Sequence, residues 1–314
     1  MNQCKIEKHK LFSLMRLVAT GFCMGIAHII PGVSGGTIAF IFGIYEDLIA
    51  ALKSFDTKFL KFLFKFKIKE LLEYVPWQFM TAILLGTLGA IFSLSKLMTW
   101  LLVNKPVQIN AFFFGLIMAT APIIGRNIKK WNLTTGFLGV LSAIGMYFLV
   151  GMIPIQTPNA LWFLFLSGAL AISTMILPGI SGSFVLLLIG KYQYIIEAVS
   201  NRDFGILFAV ALGCIVGILA FVRLLSWLFN RFHDQTVIIL TGLVLGSLRK
   251  IWPWKETLQS MTTHKGKIIP IEQINTLPRE LNLEVMQAIF LVIVGFLIAW
   301  FLGKSSPKEG IKAD

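Results

Sequence analysis

The sequence predicts an all-α polytopic membrane protein built from two inverted repeats, each a re-entrant helical hairpin followed by three transmembrane helices. Three observations carry this. The 314-residue chain is 56% hydrophobic and only 14% charged, with mean hydropathy +0.80; long apolar runs of this kind mean membrane helices. The run Pro31-Gly32-Val33-Ser34-Gly35-Gly36-Thr37 recurs as Pro178-Gly179-Ile180-Ser181-Gly182-Ser183, at an offset of 147 residues that also brings Gly43 onto Gly190 and Tyr45 onto Tyr192. The basic residues crowd into loops, where they report topology.

Each copy of the motif lies between two apolar runs too short for ordinary spanning helices. Proline ends the first run, because it lacks an N–H and restricts the residue before it. The glycines permit sharp backbone turns, and a serine can cap the helix that follows. Backbone broken at membrane depth is tolerated only inside protein or beside a watery cavity. Two such interruptions in matching positions point to a transporter's binding site.

In order, residues 1–15 carry Lys5, Lys8 and Lys10 and read as a cytoplasmic lead-in. The basic start and apolar run resemble a signal peptide, but no small-residue cleavage site follows, so the segment is expected to be retained. The first repeat (1–157) holds the re-entrant hairpin 16–45, a surface segment 47–76, and spans at 77–103, 107–125 and 134–152. In the surface segment Lys58, Lys61, Lys65, Lys67 and Lys69 alternate with Phe59, Phe62, Phe64, Phe66 and Ile68, a mixture suited to an anionic membrane surface. The second repeat (158–314) holds the hairpin 161–195 and spans at 205–229, 236–248 and 285–303, with a polar loop over 250–284. Its spans match the first repeat at an offset of 127: Gly86 on Gly213, Lys96 on Arg223, Trp100 on Trp227, Gly115-Leu116 on Gly242-Leu243. The surface segment, absent from the second half, accounts for the 20 residues between the offsets.

Charge chooses the topology. If each motif segment crossed the bilayer, the lysine-rich segment and Arg126–Lys130 would both lie outside while the N-terminus lay inside. Re-entrant hairpins put most basic clusters inside, with both termini cytoplasmic. The net charge of +13 then reflects topology and anionic lipid rather than nucleic acid, for which there is no recognisable module.

Candidate substrate-binding residues follow. Gly32, Gly35, Gly36, Gly179 and Gly182 let backbone approach an anion. Ser34, Thr37, Ser181 and Ser183 add hydroxyls at helix N-termini, where N–H groups and a partial positive charge face a phosphate. Lys96 and Arg223 sit inside predicted spans, where a cation costs at least about 2.5–3.5 kcal/mol and usually serves a cavity or ligand. His28, Glu46 and Asp47 are candidates for proton coupling. No metal spacing links Cys4, Cys23 and Cys214, no cofactor is implied, and no histidine–acid pair is placed to activate Ser34 or Ser181 as a nucleophile, so an enzyme is not expected.

The Pro31–Thr37 run followed by Gly43-Ile44-Tyr45-Glu46 resembles the signature of the polyprenyl-phosphate (undecaprenyl phosphate) transporter family of bacteria and archaea, long described only as a membrane domain of unknown function. The resemblance covers nearly the whole chain. It implies a flippase that moves undecaprenyl phosphate from the outer to the inner leaflet, recycling the lipid carrier of peptidoglycan synthesis. Ser183 and Phe184 stand where that signature has Gly36 and Thr37 in the first copy. An integral-membrane lipid phosphatase and a small-anion or ion-coupled solute carrier are the alternatives.

Overall fold

A computed structural model describes residues 2–30, 32–125, 128, 131–262, 268–278 and 280–304, with backbone alone for 2–12, 259–262, 268–272 and 304. Pro31, most of the Arg126–Lys130 loop and the tail beyond Lys304 lie outside the described residues. The fold is an all-α polytopic membrane fold. The first half runs through α1 (Asn2–Ile29), α2 (Gly35–Ile41), α3 (Tyr45–Lys53), α4 (Thr57–Phe64), α5 (Ile68–Tyr74), α6 (Trp77–Asn104), α7 (Pro106–Met118), α8 (Thr120–Gly125) and α9 (Leu133–Leu149). The second runs through α10 (Leu161–Ile176), α11 (Gly182–Leu188), α12 (Tyr192–Asn201), α13 (Phe204–Arg231), α14 (His233–Ser247), a 3₁₀ turn (Leu248–Ile251), β1 (Lys255–Thr262), β2 (Ile268–Asn275) and α15 (Leu283–Lys304).

Among the described residues, four segments are long and apolar enough to cross a membrane: 77–104, 106–125, 204–231 and 283–303. Two expected spans are shorter. α9 has 17 residues and α14 has 15, against the roughly 20 a span needs; the 3₁₀ turn extends α14 to Ile251. The motif helices are bent rather than continuous, α2 to α3 by 119° and α11 to α12 by 105°.

Glycine contacts fix how the long helices pair. Gly21 abuts Ile83, and Gly25 abuts Thr87 and Ala90. Both helices therefore rise together: α1 and α6 are parallel. In the second half Gly213 abuts Phe165 and Gly217 abuts Ala169, so α10 and α13 are parallel too. In each case the chain between the two helices must bring itself back to the side where the first began. The contacts also recur residue for residue. Thr87 Oγ1 donates to Gly21 O at 3.0 Å, and Cys214 Sγ donates to Gly168 O at 3.4 Å. Donor and acceptor positions are shifted by the same two offsets, 127 and 147. Small residues allow this approach because no side chain holds the backbones apart.

The halves exchange their last helices. Gly115 of α7 lies against Val292 of α15, and Gly242 of α14 lies against Gly139 of α9. α12 leads directly into α13, whereas α4 and α5 stand between α3 and α6. Asp56 caps α4 through the N–H groups of Lys58 and Phe59 and accepts the Tyr74 hydroxyl at 2.8 Å, closing α4 and α5 into a small helical pair with no buried residue.

The expected polar loop over 250–284 is partly a β-hairpin. β1 and β2 pair antiparallel, with Lys255 opposite Asn275 and a register shift after Thr257. Trp252 anchors its base by donating Nε1–H to Thr276 O at 2.8 Å. Lys191, buried at 2% exposure, donates to Thr157 O and to Asn159 Oδ1, both at 2.6 Å. It pins the 153–160 connection to the second hairpin, at the position Ile44 holds in the first.

Candidate functional site

Both motif copies fold into the same turn. Gly32 has φ 92° and Gly179 φ 88°, a left-handed conformation that side-chain-bearing residues resist. Ser34 and Ser181 follow with φ −108° and ψ 137° and 140°, extended backbone at each N-cap. Ser34 Oγ accepts from Gly36 N at 3.1 Å, and Ser181 Oγ accepts from Phe184 N at 3.3 Å.

The two turns interlock. α10 ends at Ile176, so its last carbonyls have no partner within the helix. The first hairpin supplies partners: Ser34 Oγ donates to Leu177 O at 3.2 Å, and Tyr45 Oη donates to Ile176 O at 3.2 Å. In return Gly179 N donates to Thr37 Oγ1 at 2.8 Å. Gly36 is required at the seam, since an added Cβ would stand 2.5 Å from Ile176 O.

The copies are not equivalent in exposure. Ser34, Gly35, Gly36 and Thr37 are all buried. In the second copy Gly182 is buried, Ser181 is half-buried and Ser183 is exposed, with the two hydroxyls 3.3 Å apart. The first copy's hydroxyls are spent on the second copy's backbone, and the second copy's hydroxyls are the more open pair.

Beside the second turn lies a small open basin of about 50 Å³. Its polar wall holds Arg249, Lys250 and Lys255, with Gln273 and Asn275 of β2. Phe184, Leu187 and Leu188 of α11 and the 150–154 segment complete the lining. Among the described residues no aspartate or glutamate lines it. Lys250 joins the two motifs: its Cγ lies where a Gly32 side chain would begin, 2.8 Å away, and its Nζ sits 5.0 Å from the Phe184 ring centre. The Arg249 guanidinium stacks 4.5 Å over the Tyr147 ring, donates to Tyr147 O at 2.9 Å, and occupies the space left by the missing side chain of Gly151. Lys255 Nζ donates to Lys250 O. Burial and the neighbouring Lys250 charge push the Lys255 ammonium down to about 8.

The profile of undecaprenyl phosphate translocase-like proteins matches residues 24–269, from the first arm through both motifs to the β-hairpin. The chain belongs to that family. A Vibrio cholerae serotype O1 protein named polyprenyl-phosphate transporter is 39% identical over 271 residues, covering 86% of this chain and 88% of its own length. A Staphylococcus aureus protein of the same name is 29% identical over 256 residues, covering 75% and 85%. No solved structure matches.

The other sequence-predicted residues of this translocase-like chain lie away from the basin. Lys96 and Arg223 are exposed, and Arg223 Nη1 donates to Leu219 O of its own helix at 3.4 Å. His28 packs within the α1–α2 hairpin, its ring where a Gly35 side chain would stand. Glu46 is exposed on the first turn of α3 and its Oε1 lies 3.0 Å from His233 Nε2, while His233 Nδ1 lies 3.3 Å from Asp234 Oδ1. Asp47, beside Glu46, is half-buried. The Arg249–Lys250–Lys255 group was not singled out from the sequence. The available signal was its violation of the positive-inside pattern: three cations within seven residues on the side assigned to the outside.

Proposed function

We propose that the protein is a flippase that carries polyprenyl phosphate, undecaprenyl phosphate in particular, from the outer to the inner leaflet of a prokaryotic cell membrane. The task recycles the lipid carrier of peptidoglycan synthesis. The observation that carries this reading is the interlocked pair of glycine turns, with Thr37 and Gly179 in direct contact. The prenyl tail can stay in lipid while only the phosphate passes the protein, and broken helices at mid-depth are where transporters place such sites.

Inverted repeats fit the pairing of helices. With α1 parallel to α6 and α10 parallel to α13, three crossings separate the two hairpins, so they enter from opposite faces, and both termini lie in the cytoplasm. Alternating access then amounts to opening the seam on one side while closing it on the other. Ser181, Gly182 and Ser183 serve the head group in the conformation described. Ser34 and Thr37, released from Leu177 and Gly179, serve it in the other. Lys96 and Arg223 flank the path at equivalent positions, and Glu46, Asp47 and His28 are the carriers for any coupled proton. The names of the Vibrio and Staphylococcus relatives support a transporter rather than a hydrolase, and no step here makes or breaks a covalent bond.

The test is translocation in vesicles reconstituted with purified protein and undecaprenyl phosphate placed in one leaflet. Loss of the lipid from that leaflet, dependent on protein and without phosphate release, is the expected result. Phosphate release, or redistribution no faster than in empty vesicles, overturns the reading.

A further inference from the structure

We propose that the basin lined by Arg249, Lys250 and Lys255 and by α11 is the docking site for a lipid-linked phosphate on the face opposite the N-terminus. This deepens the transport reading and rests on it for the identity of the lipid.

Three observations converge. The first is charge without compensation. The three cations come from the 3₁₀ turn and from β1, they line one space, and among the described residues no carboxylate lines it. Holding like charges together is costly unless an anion completes the set. A guanidinium and two ammoniums offer many donors, and Tyr147 O and Lys250 O each take one. The second is shape. Part of the lining is apolar: Val150, Met152, Ile153, Leu187 and Leu188 share the basin with the cations. A free phosphate has no use for those residues, whereas a phosphate on a hydrocarbon chain uses both kinds. The third is connection. Lys250 touches Gly32 of the first turn through its stem and Phe184 of the second hairpin through its ammonium. An anion drawing on Lys250 therefore acts on both turns at once, which is what a substrate that triggers opening of the seam must do.

The two faces also differ here. At the 127-residue offset, Arg249 and Lys250 correspond to Pro122 and Ile123. Those two cations are thus absent from the matched positions of the first repeat. On this proposal their end of the molecule is the capture side.

The test is binding to full-length protein purified in detergent, read by thermal-shift titration with three probes: undecaprenyl phosphate, undecaprenol and inorganic phosphate. Undecaprenyl phosphate is expected to bind at least about tenfold more tightly than either other probe, because only it uses both the cationic and the apolar lining. Lys250→Gln and Lys255→Gln are each expected to weaken it about tenfold, the charge-retaining Lys250→Arg much less, and Gly136→Ala, where an added Cβ meets nothing within 4 Å, not at all. Inorganic phosphate binding as tightly as the lipid overturns the lipid assignment. A folded Lys250→Gln/Lys255→Gln double variant that binds with wild-type affinity overturns the site. Should Lys250→Gln fail to fold, Lys255→Gln and Arg249→Gln carry the same comparison. The two readings fail differently. Wild-type protein that binds the lipid but does not translocate it removes the transport reading and leaves the basin, whereas a double variant that still binds and translocates removes the basin alone.

Discussion

Thr37 Oγ1 accepts the backbone N–H of Gly179 at 2.8 Å, joining residues 142 apart in sequence. The contact is buried, and it is made between the two copies of one motif. A hydroxyl that a local reading assigns to the ligand is in this conformation a brace between hairpins. Thr37→Val keeps the shape but leaves a buried N–H without an acceptor, which costs about 1–3 kcal/mol. Thr37→Ser keeps the acceptor. Thermal unfolding in detergent should therefore fall clearly for the valine variant and little for the serine one. Equal midpoints for wild type and Thr37→Val would show that the brace is idle.

The seam also depends on bare backbone at Gly36. A Cβ there meets the Ile176 carbonyl at 2.5 Å, and that carbonyl is fixed by Tyr45 Oη at 3.2 Å. Gly36→Ala must push the turns apart, and translocation in vesicles should drop by about tenfold or more, since a shift of about an ångström at a site is that costly. Gly136 on α9 is the control, because an added Cβ meets nothing within 4 Å; Gly136→Ala should leave transport unchanged. Normal transport by Gly36→Ala would mean that the close approach is incidental.

Much of this arrangement is legible in the sequence because it is set by local chemistry. Proline, glycine and serine in that order dictate turn and cap at both copies, and the two offsets that align Gly21 with Gly168 and Gly86 with Gly213 reappear as helix contacts. Other features depend on tertiary contacts that no local pattern contains. The commitment of Ser34 to Leu177 is one. The exposure of Lys96 and Arg223 is another, since superposing two cations does not say which face of a helix they occupy. The β-hairpin was hidden by Pro270 and by the polarity of its strands. The Arg249–Lys255 cations gain their meaning from Phe184 and the rest of the basin lining, which lie far away in sequence.

Lys255 predicts a pH dependence. Burial first, and then the Lys250 charge, push its ammonium from 10.5 to about 8, and Arg249 lies in the same basin. The folded state thus releases this proton more readily than the unfolded chain. Unfolded protein binds more protons between about pH 8 and pH 10.5, so this group's contribution to stability rises across that window. Below pH 8 both states are charged and the cost of holding the charge is fully present. Lys255→Met should stabilise the ligand-free protein at pH 7 by on the order of 1 kcal/mol, after discounting for a half-buried group, and the gain should shrink as pH approaches 10.5. A gain that is flat with pH would assign the effect to packing.

The surface segment gives the last prediction. Residues 57–74, α4 and α5 with their connection, carry exposed Lys58, Lys61, Lys65, Lys67 and Lys69 beside strongly exposed Phe64 at 78% and Phe66 at 85%. Lys67 is paired with Glu70 at 2.9 Å, but five lysines against Glu70 and Glu73 leave the segment cationic. Such a surface is suited to an anionic headgroup layer with its aromatics dipping below, and each lysine near that layer contributes about 1 kcal/mol. Amide hydrogen exchange over residues 57–74 should therefore be slower in nanodiscs containing anionic phospholipid than in zwitterionic ones. High salt should remove most of the difference by screening, and replacing the five lysines with glutamine should remove it at any salt. The Asp56–Tyr74 contact at 2.8 Å involves none of those lysines, so the helical pair itself should survive the substitutions, and exchange that is the same in both lipids for wild type would leave the segment without a membrane role.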